Sequence, residues 1–134
     1  MDRRTRRASL RAAFCTAACL LAAPATAHGG WTDLDNWNLT ETTSTWGGGT
    51  QFTISAGGTG TAEYRWLDDP DKTTVISANN CTDGTLRGSA ATIPAHNTSY
   101  HGLFSGPAGA CFILRGRTAI GSGSMVNHDG RINR

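Results

Sequence analysis

Histidine, cysteine and the acidic residues carry whatever catalytic or metal chemistry this chain has, and their spacing favours none. The histidines stand at 28, 96, 101 and 128 and the cysteines at 15, 19, 81 and 111, without the C-x-x-C spacing of a zinc or redox site. His128-Asp129-Gly130 joins a base to a carboxylate. Neighbours on an extended chain point to opposite faces, however, and Asp-Gly is a turn signal, so a turn is expected there. A serine hydrolase would present its nucleophile on a strained elbow, and no G-x-S-x-G occurs. Glu41 or Glu63 could join an aspartate in glycoside cleavage, but nothing in the sequence selects a pair. Asp33-Leu34-Asp35-Asn36 and Asp68-Asp69-Pro70-Asp71 lack the EF-hand pattern and read as solvated turns. The expectation is a chain with no catalytic residues, no cofactor and no resident metal.

One metal candidate depends on processing. Arg3, Arg4, Arg6 and Arg7 form a cationic head, residues 12–23 a small apolar run, and Ala25-Thr26-Ala27 a peptidase site. Residues 1–27 therefore read as an export signal, leaving 28–134 as one secreted β domain. Thr5 to Arg11 resembles a twin-arginine signal, and a general secretory leader accounts for the same residues. An amino terminus at His28 would offer its α-amine and Nδ1 to copper, with a third nitrogen from His96, His101 or His128. That arrangement resembles the copper sites of secreted β-sandwich polysaccharide monooxygenases and of some copper carriers. It ranks behind the metal-free reading.

Removing the leader changes the charge and the cysteine count. The whole chain carries a formal net charge of +2, but residues 28–134 hold seven basic and nine acidic side chains. Nucleic acid is thereby excluded as the expected partner. No second apolar run reaches the roughly 18–20 residues of a membrane span. Cys81 and Cys111 remain, an even pair in an exported chain, and a disulfide is expected. Closing a loop of about 30 residues stabilises a fold by roughly 3–4 kcal/mol in the chain-entropy model.

Tryptophan and arginine suit binding better than catalysis. Trp31 and Trp46 sit beside glycines and Trp37 beside asparagines, where a ring can be exposed; Trp66 has the phase of a core residue. Arg87, Arg115 and Arg117 are the expected cationic companions of these indoles, because protein hot spots combine the two side-chain types. Tyr64-Arg65-Trp66 resembles, in reversed order, the Trp-Arg-Tyr triad of small α-amylase inhibitors, whose two-disulfide framework is missing here.

The elements that would position these residues are strands. Thr50–Ser55, Thr61–Asp68, Lys72–Ala78 and Cys111–Ile120 alternate apolar and polar residues or carry β-branched runs. Trp37–Thr45, Leu86–Ile93, Tyr100–Phe104 and Met125–Ile132 are weaker candidates. Gly- and Asp-rich turns separate them, and Asp68 to Lys72 reads as a hairpin. The pattern predicts an all-β domain, a sandwich or partly open barrel of about seven or eight short strands. The expected function is protein binding without catalysis. The chain would be an accessory or adaptor subunit of an exported assembly, such as an antibacterial toxin complex, with another secreted protein as partner. An inhibitor of an extracellular protease or glycosidase is the first alternative. A glycan-binding module and a copper protein built on His28 follow.

Overall fold

Alternation of buried and exposed residues builds nine strands, seen in a computed structural model that describes residues 30–55 and 57–134. They are β1 (Trp31–Leu39), β2 (Ser44–Thr45), β3 (Gln51–Thr53), β4 (Thr59–Trp66), β5 (Thr74–Asn80), β6 (Leu86–Ile93), β7 (His101–Pro107), β8 (Cys111–Thr118) and β9 (Met125–Asn133). One antiparallel sheet has the order β1-β9-β4-β7; the other has β2-β8-β5-β6, with β3 also pairing β8. The count exceeds the expected seven or eight because β2 and β3 are two short pieces along one edge of β8, parted by a 3-10 turn at Trp46–Gly48. The export signal at 1–27 and the copper candidate His28 lie outside the described residues.

The inward faces of the two sheets form one core. Ala62, Tyr64 and Trp66 of β4 and Ile132 of β9 meet Ile76, Ala78, Phe112 and Leu114 of β5 and β8, all fully buried. Burying a large apolar side chain stabilises by about 1.5–3 kcal/mol, so these few residues dominate the energetics. A polar link crosses the core: Trp66 Nε1 donates to Thr74 Oγ1 at 3.0 Å, joining the two sheets. Cys81 and Cys111 are bonded, with Cα atoms 5.6 Å apart. Asn80 pairs with Phe112, so the bridge extends the β5–β8 ladder by one rung within one sheet.

Four expectations are corrected. Asp68 to Lys72 is no hairpin: β4 lies in one sheet and β5 in the other, so the turn carries the chain across the core. Among the described residues the only consecutive strands that pair are β5 and β6, through a turn in which Asn80 N donates to Thr85 O. His128-Asp129-Gly130 lies inside β9, and the His128 ring packs edge-on against Trp66 at 6.0 Å. Asp33 to Asn36 is no turn either, because it falls within β1 with Leu34 in the core. Trp37 is a core residue. In β1 the ladder slips between Leu34 and Trp37, where Asn36 takes φ +54°, and this bulge turns Trp37 and Leu39 inward after Leu34. Asp129 Oδ1 accepts from the Asn36 N–H across the strands, which fixes the bulge.

Candidate functional site

The expected binding residues do not converge. Trp31, at the start of β1, is 65% exposed. Trp37 is buried beside Tyr64 and Trp66, with ring centres 6.0 and 6.1 Å away. Trp46 is half-buried and leans on Phe52 at 5.8 Å. Arg87 is taken up by the fold: its guanidinium covers Phe104, and its Nε donates to Cys111 O at 2.9 Å. Arg115 and Arg117 stand on the outward face of β8, on the sheet that does not contain Trp31. Strand alternation also dismantles the Tyr64-Arg65-Trp66 triad, because both rings enter the core and only Arg65 faces out.

A different set does converge, on the outer face of the β1-β9-β4-β7 sheet. Asp33 pairs with Arg131 across β1 and β9, and Arg131 pairs with Arg65 across β9 and β4. Tyr100, just before β7, brings its ring to 5.3 Å from the Arg65 guanidinium. At the other end of the row the Arg131 guanidinium lies 5.5 Å from the Trp31 ring centre. Two exposed rings thus flank two guanidinium groups on three adjacent strands and the loop beside them. Placing like charges opposite each other in a ladder costs stability. Asp33 offsets this by accepting from Arg131 at 2.5 and 3.1 Å.

The electrostatics follow from those contacts. The hydrogen bond from Arg131 holds the Asp33 carboxyl below its usual value, and the same bond from Asp33 leads the upward shift of Arg131. Tyr64 sits under this face, and among the described residues its hydroxyl has no hydrogen-bond partner. Burial, with smaller contributions from Asp68 and Asp129, pushes it well above the ordinary tyrosine range, so it is neutral at any physiological pH. The described histidines make local contacts. His96 pairs with Asp69 at 2.9 Å on the open surface, and His101 meets Asn97 Oδ1 at 3.0 Å. Among the described residues no group of three or more His, Cys, Asp or Glu is placed to hold a metal ion.

Sequence reasoning names Arg65 only within the Tyr64-Arg65-Trp66 resemblance and does not single out Tyr100 or Arg131. The alternation that puts Ala62, Tyr64 and Trp66 inside already implies an outward Arg65. The strand order that sets Arg131 beside it and Trp31 beyond leaves no local signal. Comparison with protein-family models, with curated proteins and with solved structures finds no match.

Proposed function

We propose that this chain is a secreted, non-enzymatic module that binds another secreted protein through the Trp31–Arg131–Arg65–Tyr100 row, as an accessory or adaptor subunit of an exported assembly. One observation carries the reading: two exposed aromatic rings and two arginines share a sheet face, each ring lying against a guanidinium. Tryptophan, tyrosine and arginine are the residues enriched at interface hot spots, because each combines apolar area with directional hydrogen bonding. The contacts among them hold the side chains in place before a partner arrives, which lowers the entropy lost on binding.

Residues 28–134, tagged and added to culture fluid of the producing cell, should recover a stoichiometric complex. The complex should fail to form with the Trp31→Ala/Tyr100→Ala double variant. Retention on insoluble polysaccharide, abolished by the same variant, would transfer the row to the glycan-binding alternative, since sugar rings stack on exposed indoles. Loss of a hydrolase activity on titration with the chain would mark the partner as an enzyme and the module as its inhibitor.

A further inference from the structure

The outer face of the other sheet holds a hollow of about 320 Å³, and its lining includes Arg115 and Arg117 but no acidic residue. Short side chains make it. Val75 is the register partner of Arg117 and Ser77 that of Arg115, and Ala90 follows on β6. The two arginines rise on one side of this floor and Leu86, half exposed, on the other. The floor is braced: Ser77 Oγ donates to Asn79 Oδ1 at 2.8 Å, and Asn79 Nδ2 donates to Gly84 O at 2.9 Å. That turn also shapes the site. A Cβ on Gly84 would stand 3.1 Å from Arg115 Nη2, so glycine leaves room for the guanidinium beside the turn. The Asp33–Arg131 ion pair lies on the other sheet, and Arg117 Nη1 donates to Thr118 O at 3.2 Å.

We propose that Arg115 and Arg117 form a second binding site that takes an extended acidic peptide segment, carrying carboxylates two residues apart, from a partner protein. The charge is complementary, and so is the pitch. Residues i and i+2 of a strand are about 6.6–6.8 Å apart on one face, so an extended peptide offers its alternate side chains at the backbone spacing of Arg115 and Arg117. Arginine binds carboxylate through two parallel N–H donors, which fixes direction as well as charge. The site lies on the face opposite the Trp31 row and is independent of it. A chain with both could hold two partners at once, as an adaptor must.

Fluorescence anisotropy with a labelled peptide containing Glu-Val-Glu, titrated with the folded chain, tests this directly. The expected result is binding at least about ten-fold tighter than for the Gln-Val-Gln peptide and for a Glu-Val-Val-Glu peptide, weakening with salt. Binding should be lost in Arg115→Gln/Arg117→Gln and kept in Trp31→Ala. Leu86→Glu, at an exposed position, places a repelling charge on the rim and should abolish binding while leaving the near-ultraviolet circular dichroism unchanged. Equal affinity for the two glutamate spacings, undiminished binding by the arginine double variant or by Leu86→Glu, or tighter binding of a sulfated polysaccharide than of the peptide would overturn the proposal. The Trp31→Ala arm keeps its fate separate from that of the first site.

Discussion

Asp33 and Arg131 face each other across β1 and β9, joined by two hydrogen bonds while the guanidinium also covers Trp31. The pair orders the edge of the row at which a partner would meet Trp31. The folded state depresses the Asp33 pKa, so the stability it contributes is present above its unfolded value and is lost as pH falls through the lowered one. A side-chain NMR titration should find the Asp33 midpoint below 3.8, and Arg131→Gln should move it up. Trp31 fluorescence should change with the same midpoint. An Asp33 midpoint at or above 3.8 would show that the pair does not persist in solution.

Gly116 is where the buried Trp37 meets the opposite sheet. A Cβ there would lie 2.8 Å from Ile76 Cδ1 and 3.0 Å from Trp37 Cη2, and the indole cannot bend away. Gly116→Ala should cost about 1–3 kcal/mol, the usual penalty of overpacking. Gly102→Ala is the comparison, since a Cβ at Gly102 meets nothing within 4 Å. Chemical denaturation should separate the two variants clearly. Equal stabilities would mean that Trp37 is not packed against β8.

The Cys81–Cys111 bridge closes a separation of 30 residues that spans β6 and β7. Both strands gain from this closure, because β6 pairs β5 at the far side of the loop and β7 belongs to the other sheet. Cys81→Ser should lower unfolding stability by roughly 3–4 kcal/mol, measured under non-reducing conditions. A variant that melts with the wild type would leave the bridge without a stabilising role.

Alternation makes most strands legible, and turn chemistry makes their ends legible. The sequence pattern places Leu86–Ile93 at the bounds it has in the fold, and Met125–Ile132 within one residue of them. What alternation cannot report is where its own phase breaks. The β1 bulge at Asn36 interrupts the period of two, so the pattern begins a strand only at Trp37, and the flanking asparagines suggest an exposed indole where the core buries it. Turns announce reversals but not destinations. Asp68 to Lys72 turns the chain as any hairpin would, yet the next strand lies across the core. The site suffers from the same gap. Arg65 and Arg131 are 66 residues apart in sequence and become register partners only through a strand order that no local pattern encodes.

Trp31 and Trp37, six positions apart on β1, should respond in opposite ways to truncation. Trp31 is exposed and its ring lies against Arg131, so Trp31→Ala should leave stability within about 0.5 kcal/mol, as surface substitutions do. The same variant should weaken partner binding by roughly 2 kcal/mol or more, a hot-spot-sized loss. Trp37 is buried between Tyr64, Trp66 and the backbone of Gly116, so Trp37→Ala should cost about 3–5 kcal/mol of stability through the cavity it leaves. Its effect on binding should follow only the fraction of folded protein. Denaturation curves and partner titrations on both variants give the comparison. If Trp31→Ala binds like the wild type, the row is not an interface and the arginines of the opposite sheet become the first place to look. If Trp37→Ala keeps its stability, the inward turn of β1 at Asn36 is wrong.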